Sequence, residues 1–241
     1  MKLLLVNGNR TQAVTDTVLA EARRVAAPAT ALLAVTATFG IDIVFSHAGD
    51  VIAAHAVLDS LAKHHQGFDA AILAISFDSG LAAARELLPI PVFGITESAL
   101  LAACKLGERI GIITFGKRSL ALYHDVFARY GVIQRGAAIR TIDITSTAEY
   151  LAAEKLDARI VAEANSLAAE GADAVVICGA AMAGVARRLS DAVSVPLVDG
   201  VASAVTQAEA LVGAGFRPVP PLQPAITMGL SPELTALFQR R

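Results

Sequence analysis

The chain holds two cysteines, Cys104 and Cys178, and the surroundings of the second point to chemistry. Cys178 lies in DAVVICGAAMAG (residues 173 to 184), where an apolar, strand-like run gives way to very small side chains. A thiol at a strand end just ahead of a helix meets the positive end of the helix dipole, which lowers its pKa and suits it to proton transfer. Core filling is the competing reading, since free cysteine is among the most buried residue types. Cys104 sits in ALLAACKLG, on a helix rich in Ala and Leu, and reads as packing.

Two polar turns offer ligand contacts. In VNGNRT (6 to 11), Asn7 and Asn9 flank Gly8 and Thr11 stands ready to cap the following helix, a pattern that fits either a ligand cradle or a plain capped turn. In TFGKRS (114 to 119), Thr114, Ser119 and backbone amides are available to an anion, with Lys117 and Arg118 nearby. Gly111 to Lys117 even has the spacing GxxxxGK, yet Arg118 stands where a Ser or Thr should hold magnesium, so a P-loop is not indicated. His47, His55, His64, His65 and His124 show no metal-ligand spacing. His64 and His65 read as a surface pair and His47 as part of a long loop. No GxGxxG follows a strand, so a nicotinamide cofactor has no support.

Alternating elements must position these groups. Strands are expected at 2–6, 31–37, 70–75, 91–95, 109–114, 136–142, 174–178 and 195–199. Helices are expected near 11–25, 51–66, 80–88, 97–106, 118–130, 149–170, 181–192 and 200–214. Short apolar runs between helix-period segments are the mark of parallel strands covered on both faces, hence an α/β fold. The tail FRPVPPLQPAITMGL is too rich in proline for a helix and reads as an extended wrap. With 55% hydrophobic residues among 241, the chain can cover a sizeable core. A net charge of -2 with mixed signs gives no footprint for nucleic acid or an anionic membrane. Two cysteines make no disulfide framework, and no run is long enough for a signal peptide or membrane span, so the cytoplasm is the expected compartment.

An internal similarity divides the chain. FDAAILAISFDSGLAAARELLPIPVFGITESA (68 to 99) parallels ADAVVICGAAMAGVARRLSDAVSVPLVDGVASA (172 to 204), each giving Asp, strand, small-residue turn, helix, Pro, strand and helix. Two α/β halves follow, 1–95 plus 201–241 and 96–200. Ser76 stands opposite Cys178 when a small gap is allowed. Ligands of open α/β sheets bind beyond the carboxyl ends of strands, so both turns are expected to face one cleft.

VNGNRT, SFDSGLAAARE, IGIITFGKRS and above all GADAVVICGAAMAGVARRLSDAVSVPLVDGVASAVTQAEALVGAGF resemble the Asp/Glu/hydantoin racemase superfamily, most closely its hydantoin and allantoin racemase branch. The resemblance runs in order from Leu3 to Phe216. It implies two pseudo-symmetric flavodoxin-like domains with mostly parallel sheets, an active-site cleft between them, no cofactor, a small-molecule substrate and a homo-oligomer. It also implies a pair of cysteines, one per half, that move a proton from one face of the substrate Cα to the other. This sequence departs from that pattern: the matching positions carry Ile75, with Ser76 beside it, and Gly179, with Cys178 one residue earlier. Catalytic roles are accordingly expected for Cys178 and Ser76, and substrate contacts for Asn9, Asn7, Phe77, Asp78, Thr114, Gly179 and Ala180. The expected function is cofactor-independent proton transfer at the Cα of a small hydantoin or amino-acid-like carbonyl compound. Two alternatives stand beside it: a decarboxylase of the arylmalonate type using Cys178 alone, and a silent paralogue that only binds small molecules.

Overall fold

The computed structural model describes residues 1–144, 146–216, 218 and 224–239. Its elements run β1 (Lys2–Asn7), α1 (Gln12–Val25), β2 (Ala31–Thr36), α2 (His47–His64), β3 (Ala70–Leu73), α3 (Leu81–Leu87), β4 (Val92–Gly94) and α4 (Ile95–Leu106). They continue with β5 (Ile110–Phe115), α5 (Leu120–Arg129), β6 (Gly136–Ile142), α6 (Thr147–Leu151), α7 (Asp157–Ala169), β7 (Ala174–Ile177), α8 (Val185–Leu189), β8 (Leu197–Asp199), α9 (Gly200–Gly213) and α10 (Pro232–Phe238). The strands make two separate four-stranded sheets in the orders β2-β1-β3-β4 and β6-β5-β7-β8, every pairing parallel. The same order in both bears out the expected α/β fold of two flavodoxin-like domains with parallel sheets.

β3, β5 and β7 are buried throughout, and β1 from Leu3 onward, because helices cover both faces, which is why these runs carry no alternation. α4 and α9 pack on each other, and each reaches the opposite sheet: α4 lies against β7 and β8, α9 against β3 and β4. Their starts come very close, a Cβ on Gly200 falling 2.8 Å from the Ile95 carbonyl oxygen, so only glycine fits there.

Several expected elements differ. The helix expected over 149–170 is broken at Ala152 (φ -91°, ψ 61°) into α6, a 3-10 turn and α7. α2 starts at His47, not 51, because the Ser46 hydroxyl accepts the Gly49 amide at 3.1 Å and caps it. His47 is therefore helical rather than in a loop, exposed and 3.8 Å from Asp125. His65 is buried, its Nδ1 3.0 Å from the Leu61 carbonyl, and is no surface residue. Of the Pro-rich tail, residues 217 and 219–223 lie outside the described residues, and 224–228 has no regular structure ahead of α10. No helix is long and apolar enough to cross a membrane, and no cluster of metal-ligating side chains occurs, both among the described residues.

Candidate active site

The turns after β3 and β7 meet. The Ala180 amide donates to the Ser76 hydroxyl at 3.2 Å; matched without a gap from Asp69 and Asp173, it is Ala180 rather than Cys178 that stands opposite Ser76 in the internal repeat. Around this contact lies a cavity lined by Asn9, Ile75, Ser76 and Phe77 from the first sheet's side and by Phe115, Ser119, Tyr123, Tyr150, Ala180 and Ala181 from the second's. Ile43, Val44 and Phe45, in the connection from β2 to α2, cover it. The cavity volume is about 20 Å³, room for roughly one water molecule.

Its polar groups are uncharged and mostly hydroxyl. Burial pushes the Tyr150 phenol up to about 12 and raises Tyr123 well above its ordinary value, while the Ser76 hydroxyl, bonded to both, works in the opposite direction. Both phenols therefore stay protonated at any neutral pH. Tyr150 also bonds to the backbone at Ala181, and its ring packs against Phe45 and Phe115. Tyr123 packs on Phe77 with centroids 4.7 Å apart. Gly179 makes room for this arrangement: at φ +114° it has a conformation suited to glycine, and a Cβ there would lie 2.7 Å from the Tyr150 hydroxyl.

The expected site residues separate into three groups. Asn9, Ser76, Phe77 and Ala180 line the cavity. Cys178 and Gly179 instead line a smaller one of about 10 Å³, shared with Thr96, Ala183 and Asp199. The expected thiolate is not found at Cys178: burial, and then the nearby Asp78 carboxylate, push the thiol up and hold it neutral. No helix of any length starts beside it, only a 3-10 turn over Ala180–Met182, so the dipole argument lacks its dipole.

The third group supports the cavity without lining it. Asn7 is buried and spends its amide on Asn9 Oδ1 (3.1 Å), the Thr11 carbonyl (3.2 Å) and Thr15 Oγ1 (3.0 Å). Thr114 lies within the second sheet, its hydroxyl 3.0 Å from that of Thr141. Asp78 is fully buried at φ +51° and accepts from the Thr96 amide (3.1 Å), the Glu97 amide (2.8 Å) and the Tyr130 hydroxyl (2.8 Å). Thr96 in turn donates its hydroxyl to the Ser76 carbonyl at 2.5 Å, fixing the turn that presents Ser76. Thr11 does not cap α1 through its side chain, which donates to the Asp42 carbonyl and ties down the covering segment.

Phe45, Tyr123 and Tyr150 are among the lining residues that sequence reasoning missed. A signal existed: the chain has three tyrosines, and all three address the turn at 76–78.

Comparison with known proteins bears on this arrangement. The family model described as Asp/Glu/hydantoin racemase matches residues 3–208. A hydantoin racemase of Rhizobium meliloti is 37% identical over 152 residues, 63% of this chain and 63% of that protein. One from Paenarthrobacter aurescens is 28% identical over 223 residues, 90% of this chain and 93% of that protein. Among solved structures, an allantoin racemase from Klebsiella pneumoniae superimposes with a TM-score of 0.87 at 34% identity, covering 95% of this chain and 97% of that one.

Proposed function

The chain belongs to the Asp/Glu/hydantoin racemase family and is a racemase-family isomerase, and from that premise we propose that it exchanges the Cα proton of a small cyclic carbonyl compound of the hydantoin class in the cavity around Ser76. The observation that carries this reading is the lining: among the described residues it contains hydroxyls, an amide side chain and apolar groups but no cation. A free amino acid would bring its carboxylate into this cavity without a counter-charge, whereas a cyclic diamide brings only carbonyl and N–H groups.

Removing a Cα proton next to a carbonyl places negative charge on the carbonyl oxygen. Protonated Tyr123 and Tyr150, with the amides at 180 and 181, are donors that such an oxygen can recruit in place of Ser76 and Tyr150 themselves. The site thus acts mainly on the oxygen side. On the proton side, Ile75 and Gly179 offer no acid–base group, and the buried thiol of Cys178 faces the smaller cavity. Ser76 is the proposed relay: its oxygen takes the Cα proton as its own proton passes to a water molecule, for which the cavity has room, and the reverse transfer returns a proton to Cα. Slow exchange is expected by comparison with a pair of thiols. About 20 Å³ does not admit a ring, so binding requires the segment carrying Ile43, Val44 and Phe45 to swing outward. A cytoplasmic homo-oligomer acting without a cofactor completes the proposal.

The test is incubation of single enantiomers of 5-substituted hydantoins and allantoin in deuterium oxide. Deuterium uptake with loss of optical rotation is expected, and Ser76→Ala and Tyr150→Phe should each slow uptake about ten-fold or more. Binding without uptake would leave a small-molecule-binding protein; carbon dioxide release from malonates would indicate the decarboxylase chemistry.

A further inference from the structure

Outside Phe45 the molecule opens into a second cleft, much larger than the first at about 510 Å³, lined by Phe45, Gly116, Lys117, Arg118, Asp143, Ile144, Ser146 and Thr147. Phe45 is a wall of both spaces, so a ligand in the inner cavity reaches the outer cleft past this one ring. Gly116, a wall of the outer cleft, stands beside this ring: its φ is +75°, and a Cβ there would sit in ordinary contact 3.5 Å from the Phe45 ring. The two spaces differ in charge. The inner lining is neutral, whereas the outer one carries two cations against one carboxylate.

We propose that the outer cleft receives a carboxylate at the end of the substrate's side arm, with Arg118 and Lys117 as its partners, so that the enzyme selects cyclic carbonyl substrates bearing an acidic 5-substituent. The inference rests on the reading that the reacting ring occupies the inner cavity. Arg118 is exposed and takes part in no ion pair among the described residues, so its fork of donors is available to a carboxylate. Lys117 is 3.3 Å from Asp143, but with side chains 77% and 56% exposed this pair holds weakly and gives way to a better-placed anion. Ser119, by contrast, cannot serve: its hydroxyl is spent on the carbonyls of Phe115 (2.8 Å) and Gly116 (2.7 Å). Anion recognition at this turn therefore belongs to the two cations rather than to Thr114 or Ser119.

Calorimetric titration of the protein with 5-(carboxymethyl)hydantoin and its uncharged isostere 5-(carbamoylmethyl)hydantoin separates charge from shape. The acid should bind about ten-fold more tightly at low salt, the worth of one charge-assisted contact. That advantage should shrink near 0.5 M salt, where screening is roughly complete over a few ångströms. Arg118→Gln should remove most of the advantage, and Asp143→Asn, which frees Lys117, should widen it. Equal affinities, no detectable binding of the acid, or an advantage that Arg118→Gln leaves untouched would overturn the proposal. Deuterium uptake is read separately: uptake from the amide with no preference for the acid defeats this inference alone, and preference without uptake defeats only the assignment of the reaction.

Discussion

Side chains near the end of a strand alternate in direction, so a shift of one position decides whether a group faces a cavity or a core. Ala174, Val176 and Cys178 share one core with Tyr123 and Val198, while Val175 and Ile177 belong to the other. Cys178 is not among the residues that line the space around Ser76 and lines the smaller cavity instead, and burial keeps its thiol protonated. Cys104, on α4, is only half-buried. Brief treatment with iodoacetamide followed by peptide mapping should label Cys104 first and leave Cys178 unmodified until the protein unfolds; early labelling at Cys178 would mean that the turn after β7 opens readily. The position of this cysteine at a strand end was legible in the sequence, but its direction was not, because no residue type marks which face of a fully buried strand looks to a ligand. The tyrosines were illegible for another reason: Tyr123 and Tyr150 stand far from Ser76 in sequence and reach it only through the packing of α5 and α6.

Among the elements, the two halves hold equivalent turns by exchanged means. In the second half the carboxylate sits on the strand end: Asp199 accepts the Ala202 amide at 2.9 Å, capping α9, and the turn amide of Gly184 at 2.6 Å. In the first half that strand-end position is Gly94, and the carboxylate comes from the turn, Asp78 capping α4; a Cβ on Gly94 would lie 2.3 Å from the Asp78 carboxyl carbon. The repeat that divides the sequence was visible from its strand, turn and proline pattern, yet this exchange was not, since Asp and Gly align with neither partner. Burial raises Asp78 from 3.8 to about 7 against three favourable hydrogen bonds. A folded value above the unfolded one means that the native state keeps a proton the unfolded chain has lost. Stability should therefore fall as pH rises from about 4 to about 7, by on the order of 4 kcal/mol at about 1.4 kcal/mol per pH unit. Asp199, also raised by burial, adds in the same direction. Urea denaturation at intervals across this range should show the decline in the wild type and a shallower one in Asp78→Asn, which is less stable overall for want of a second acceptor. A parallel pH dependence in the two proteins would mean that Asp78 does not ionise in this range.

For the molecule as a whole, the chain order of its elements and their packing disagree in one place, and that place defines how the halves are joined. α4 follows the first sheet directly yet lies against β7 and β8, while α9 follows the second sheet and lies against β3 and β4. α10 then packs on α2, so the last elements return to the first sheet. We propose the division of the chain into 1–95 plus 201–241 and 96–200, which the packing of the described residues favours, with two crossings where Ile95 and Gly200 nearly touch. Segment composition revealed the elements because each apolar run and each helical period is local; it revealed this pairing only through the repeat, because which helix covers which sheet depends on contacts some hundred residues apart in the chain. The assignment has a direct consequence for fragments. Residues 1–95 alone expose the face of β3 and β4 that α9 covers and should not fold, since uncovered apolar surface at about 25 cal/mol per Å² outweighs the stability of a sheet half-clad in helices. A fusion chain that joins residue 95 to residue 201 restores α9 and α10 across a junction the native backbone already brings together, and should unfold cooperatively by circular dichroism. If the fusion chain is as unstructured as residues 1–95, then α9 is held by the second half, the first sheet depends on the whole molecule, and opening of the cavity must come from the segment around Phe45 alone rather than from movement of one half against the other.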